Sequence, residues 1–254
     1  MMLRARPAGS AAPKDRVAEY PGNPAEAKTE TAFWNEPEAW HAVRKPPAKH
    51  ARTLRGFSVH GDEVVYHESG LERRVSLILQ ARRDVKSVRS QFPVLLYRDA
   101  VGKLREHICD YCVVFNDGLV VAVAVKQHRK AASMADLLAR IRAEGFVRKN
   151  RNGSTVSAAV HDIRLMTERD ATYAAGDNAE RILRARGMRD DAEYSSALEA
   201  VQSFHGPFRF GELLRGCPDP AARRTAILLL IDDGVLLTET RDRIDDLTRL
   251  MVRR

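Results

Sequence analysis

Apolar residues recur along this chain at two spacings, about 3.6 residues in some stretches and two in others, and the switch between them delimits its elements. Over residues 69–83, Leu71, Val75, Ile78 and Leu79 fall at i, i+4, i+7 and i+8, which predicts a helix with one apolar face. Residues 88–97 read as a strand interrupted by Pro93, which has no N–H to give a ladder, so an edge or a bulge is expected there. Two further apolar runs, 107–115 and 119–126, are joined by Asn116-Asp117-Gly118. Asn and Gly tolerate positive φ, so a β-hairpin is predicted. A helix over 134–144 follows, with Leu137, Leu138 and Ile141 inward and Gly145 ending it. A strand over 156–166 and a helix over 178–186, N-capped by Asp177 with Glu180 three residues on, complete an α/β core.

A different pattern occupies the last sixty residues. A helix over 192–204 and a short one over 210–216 precede a third, opened by Asp219-Pro220 and stopped by Gly234. A strand over 235–240 and a charged C-terminal helix close the chain. Helix, short helix, turn, helix and β-wing is the winged-helix order. The expected division is therefore an α/β domain over 56–177 and a winged-helix domain over 178–254.

Residues 1–55 carry no period. They hold seven of the eleven prolines, with ten Lys plus Arg against six Asp plus Glu, which predicts a disordered, basic, Pro-rich arm. Half of the chain's net charge of +8 over 254 residues sits there. A basic excess permits polyanion binding without requiring it. With 44% hydrophobic and 30% charged residues, the composition is that of a globular protein. No apolar run approaches the roughly 18–20 residues of a membrane span, and the N-terminus lacks the apolar segment of a secretory signal. Three cysteines cannot staple a chain of this length, so the cytoplasm is the expected compartment and no membrane partner is expected.

Three residues of the α/β region can converge on one site. Glu72 lies in the first turn of the predicted helix, Asp110 starts one hairpin strand, and Lys126 ends the other. A helix carboxylate beside a carboxylate and a lysine at the ends of paired strands is the kind of arrangement that Mg²⁺-dependent phosphodiester hydrolysis needs. Each also has an ordinary reading. Ser69 and Glu72 have capping-box spacing, Asp110 fits a solvated strand end, and Lys126 opens a basic run, Lys126-Gln-His-Arg-Lys130.

Several phrases over residues 50–190, in order, resemble the TnsA family, the endonuclease subunit of heteromeric transposases. They are His67-Glu-Ser-Gly-Leu-Glu72-Arg-Arg, Asp84-Val-Lys-Ser-Val-Arg-Ser-Gln91-Phe-Pro, His107-Ile-Cys-Asp110-Tyr, Asp117-Gly118, Val125-Lys126 and Leu165-Met-Thr-Glu-Arg-Asp170. The resemblance implies a restriction-endonuclease-like (PD-(D/E)xK) mixed-sheet core flanked by helices, with a trailing winged helix. It implies Mg²⁺-dependent cleavage of double-stranded DNA at a transposon end, beside a partner transposase and an ATPase regulator. Carried onto this sequence, Glu72 (or neighbouring Glu68) and Asp110 are metal ligands, the Val125 carbonyl is a further ligand, and Lys126 positions water. Gln91 matches a glutamine whose role the chemistry does not assign. The family pattern has Glu or Gln two residues before the lysine, where this chain has Ala124. A methyl group cannot ligate Mg²⁺. Two expectations follow: an active nuclease relying on Glu72, Asp110 and waters, or an inactive relative that still binds DNA and partners.

Remaining signals are weaker. His107, Cys109 and Cys112 form His-x-Cys-x-x-Cys, but a structural zinc wants four ligands and Cys217 lies far along the chain, so buried small apolar residues are expected instead. No Gly-x4-Gly-Lys loop is present, so the chain itself is not expected to use ATP. Arg223 and Arg224 sit in the first turn of the third C-terminal helix, where a recognition helix would meet DNA, and Lys130 ends the basic run beside the proposed site.

Overall fold

Ser69 caps the first helix: its hydroxyl accepts from the Glu72 amide at 3.2 Å, and the chain then coils as α1 (Gly70–Ala81). The computed structural model describes residues 54–60, 63–150 and 152–253. The expected N-terminal arm therefore lies, up to residue 53, outside the described residues. Before α1 stand the paired strands β1 (Gly56–His60) and β2 (Glu63–His67). After it come β3 (Val85–Ser90), β4 (Val94–Arg98), β5 (Leu104–Ile108), β6 (Tyr111–Phe115) and β7 (Val120–Val125). A 3-10 turn at His128–Lys130 leads into α2 (Ala131–Ala143), then β8 (Val147–Lys149), β9 (Thr155–Ser157) and β10 (Asp162–Met166). The fold is mixed α/β.

The central sheet has the order β10-β7-β6-β3, with β10 parallel to β7 and the other pairs antiparallel. Alternation along β7 separates its faces. Val121, Val123 and Val125 pack with Tyr111, Val113 and the α1 residues Val75 and Leu79. Ala122 and Ala124 face the opposite way, against Leu138 and Ile141 of α2 and Ile163 of β10. Both faces are covered, which is why β7 reads as a continuous apolar run.

Three runs expected from sequence as single strands are each divided in two. The run 88–97 separates into β3 and β4, because Gln91 turns in the left-handed region (φ 52°) and Pro93 offers no donor. β4 then leaves the central sheet to pair with β5. The run 107–115 divides between β5 and β6, since the Cys109 amide donates to Pro93 while Asp110 accepts from the Gln91 amide. Similarly, 156–166 breaks at Ala159 (φ 50°) into β9 and β10. The hairpin β6–β7 turns at Asn116–Gly118 as expected, with Gly118 at φ 87°.

The helix expected over 178–186 begins earlier. α3 (Tyr173–Gly187) is capped by Thr172, whose hydroxyl accepts from the Ala175 amide at 3.1 Å. Asp177 is therefore inside the helix, paired with Arg181 and Arg243, and α3 runs across the expected division at 177/178. Beyond it lie α4 (Asp191–Gln202), β11 (Phe208–Arg209), a 3-10 turn at Phe210–Leu214, α5 (Pro220–Asp232), β12 (Leu236–Thr238) and β13 (Arg249–Val252). The charged C-terminal helix does not form. Asp245 instead accepts from the Leu247 amide at 2.9 Å, and this turn returns β13 to pair with β11 and β12. Ile227, Leu230, Phe208, Phe210 and Leu250 build a second core here. Among the described residues no helix is long and apolar enough to cross a membrane.

Candidate active-site cleft

Tyr111 draws the first turn of α1 onto the sheet. It is fully buried, and its hydroxyl lies 3.1 Å from the Glu72 carbonyl and 3.2 Å from that of Tyr66. Glu72 is thereby held near Asp110, the residue before Tyr111. The Glu72 carboxylate is itself fixed, accepting from the Glu68 amide at 2.7 Å and the Ser69 hydroxyl at 2.9 Å. Ser69 caps the helix, but the reciprocal half of a capping box is not made, since Glu72 accepts from the Glu68 amide and the Ser69 hydroxyl rather than from the Ser69 amide. This bonding does not remove the side chain from the site, since Glu72 still lines the cleft described next.

Asp110 is anchored from two sides. Its carbonyl accepts from the Gln91 amide at 2.8 Å, and its carboxylate accepts from the Val125 amide at 2.7 Å. Gln91, whose role the sequence leaves open, is therefore a main-chain clamp on Asp110. Loss of solvent raises the Asp110 carboxyl to about 7. The Val125 N–H and the Lys126 charge pull it down, while Glu72 and Glu68 push it up.

A cleft of about 920 Å³ opens at this end of the sheet. Glu72, Val125 and Lys126 line it together with Arg129, Lys130 and Glu168. The structure thus collects Glu72, Val125, Lys126 and Lys130 at one opening, with Asp110 bonded to the main chain of its wall. Glu168 accepts from the His128 amide at 2.7 Å, tying the 3-10 turn to the residues after β10. Glu168, Arg129, Arg74 and Tyr173 were not singled out from sequence, because only tertiary folding brings them to the cleft.

Position 124 bears directly on the chemistry. Tyr111 pairs with Val123, so Ala124 is the next position opposite Asp110, and its methyl is fully buried in the cluster against α2. Among the described residues no group of three or more His, Cys, Asp or Glu side chains is arranged to hold a metal ion. Cys109 and Cys112 are both buried, and burial raises both thiols, Cys112 to about 11. They are core residues.

Arg223 is a correction. Only 7% exposed, its guanidinium bonds the Glu193 carboxylate, the Ser196 hydroxyl at 3.0 Å and the Leu213 carbonyl at 3.4 Å. It cannot reach DNA, because helix α5 turns this side chain inward against α4. Arg224 is exposed on the other side of α5 and paired with Asp246. No protein-family model matches the chain, and no curated protein matches it.

Proposed function

We propose that this protein is a Mg²⁺-dependent DNA endonuclease subunit of a transposition system, resembling TnsA, that cuts at transposon ends beside a partner transposase. The observation carrying this reading is the meeting of Glu72, Val125 and Lys126 in one basic cleft, with Asp110 bonded to the Val125 amide. A mixed sheet with α1 on one face and α2 on the other supports a restriction-endonuclease-like core. Helices α4 and α5 with the three-stranded β11-β13-β12 sheet support a C-terminal winged helix.

The donor set fits a hydrated Mg²⁺, which commonly takes one or two carboxylates and keeps several waters. Asp110 and Glu72 would hold it with the Val125 carbonyl, and burial of Asp110 beside a second carboxylate leaves negative charge that a cation would relieve. A bound Mg²⁺ supplies Lewis-acid polarisation of the phosphodiester. The chain's own residues do the rest. The Val125 amide and Ser69 hydroxyl fix the two carboxylates, the Lys126 ammonium orients a water or offsets phosphate charge, and Arg129 and Lys130 hold the flanking backbone.

A second reading, an inactive nuclease-fold factor that binds DNA and assembles partners, is favoured by Ala124, whose buried methyl stands where a ligand is expected. Nicking of transposon-end DNA with Mg²⁺, alone and with the transposase, separates the two. Cleavage by the wild type that disappears in Asp110→Ala and Lys126→Ala supports the nuclease. Binding without cleavage in every mixture sinks it in favour of the assembly factor, and absence of DNA binding sinks both.

A further inference from the structure

Tyr173 is an aromatic residue left 80% exposed at the mouth of the cleft, where its burial contributes almost nothing to stability. Its ring is nevertheless held in place. The Arg74 guanidinium lies over one face, 4.0 Å from the ring centroid. Arg74 in turn donates from Nε to the Ala171 carbonyl at 2.9 Å. Below, Gly176 abuts the stem of Arg74 so closely that a Cβ there would come within 2.7 Å of its Cγ. An arginine bonded on one side and boxed in on another thus backs a tyrosine that is otherwise exposed and lines the same groove as Lys126, Arg129 and Lys130.

We infer that the exposed ring of Tyr173 is a stacking platform for one unpaired nucleobase, with the basic wall of the cleft on the adjoining phosphates. This rests on the reading of the cleft as a DNA site. A flat aromatic face beside a basic track is how single-stranded nucleic acid is held without sequence preference, because every base has a π-face. Inside a duplex the bases are stacked on one another and offer no such face, so the platform engages DNA where a base is unpaired, as on a single-stranded extension. Arg74 beneath the ring serves as support and keeps it from rotating away.

The test uses the full chain and two DNAs, a blunt duplex and the same duplex ending in an unpaired strand with 2-aminopurine as its first unpaired base. Binding is followed by anisotropy and stacking by quenching of the 2-aminopurine fluorescence. Wild type and Tyr173→Phe should prefer the unpaired end and quench the probe. Tyr173→Ala should bind the blunt duplex as wild type does, yet lose about tenfold in affinity for the unpaired end, and the quenching with it. A Tyr173→Ala protein that keeps the preference and the quenching, or loses affinity for both DNAs equally, overturns the platform while leaving the cleft as a DNA site. A wild-type protein that binds neither DNA removes the DNA reading and the platform together.

Discussion

Replacing Arg223 by alanine should damage the C-terminal core and leave the surface of the cleft untouched. The guanidinium is buried between α4 and α5, where it is the partner of the Glu193 carboxylate, itself 18% exposed at its side chain. Truncation strands that carboxylate, frees the Ser196 hydroxyl and the Leu213 carbonyl, and deletes the packed aliphatic stem. Removing one partner of a buried pair costs about 3–5 kcal/mol, and the partial access of water to Glu193 places this case near about 3 kcal/mol. That is a large fraction of the 5–15 kcal/mol typical of a domain and corresponds to a fall in Tm of roughly 6–12 °C. Urea and thermal unfolding followed by far-UV circular dichroism measure it. The double variant Arg223→Met with Glu193→Met, which leaves no unpaired charge, should recover most of the loss. Undiminished stability in Arg223→Ala, accompanied by weaker DNA binding, would refute the assignment and return Arg223 to a DNA-contacting role.

Three further outcomes are expected. His67 is buried, and desolvation, reinforced by the Arg73 charge, lowers its pKa to about 4. The folded protein therefore resists a proton that the unfolded chain binds near 6.5, so stability is full above that pH and falls by at most about 3 kcal/mol towards pH 4; the difference between wild type and His67→Leu should flatten the curve in that window. Gly176→Ala drives a methyl into the root of the Arg74 side chain and should destabilise by about 2 kcal/mol in urea, whereas Gly187→Ala, with open space around it, should not. Alkylation of the native protein at neutral pH, counted by mass spectrometry, should modify Cys217 and spare the buried Cys109 and Cys112.

The local rules carried far along this chain where a residue's partners are its own neighbours. Ser69, Asp219 and the Asn116–Gly118 turn behave as their side chains require, and the apolar positions expected inward in α1 and α2 do pack on the core. They failed where a distant segment decides. Strands β3 and β4 part because Gln91 serves Asp110 from across the sheet, and the end of the chain turns as a strand because β11 and β12 await it. Arg223 and Arg224 are adjacent and chemically identical in sequence, yet α5 directs one inward to Glu193 and the other outward to Asp246. For the cleft, Glu72, Asp110 and Lys126 were legible as residue types in order. Arg74, Tyr173 and Glu168 were not, since no spacing relates them to the strand ends they flank.

At its far end α3 carries Arg186, which binds the Ala81 carbonyl at the end of α1 at 2.6 Å and both oxygens of Asp232 at the end of α5. Its first residue is Tyr173, so a rod of fifteen residues, about 22 Å long, links the clamp to the cleft mouth. Strain placed on the Asp232 end of α5 would therefore fall on α3, whose first turn carries the tyrosine. One continuous helix thus joins the ends of α1 and α5 to the residue at the mouth of the cleft.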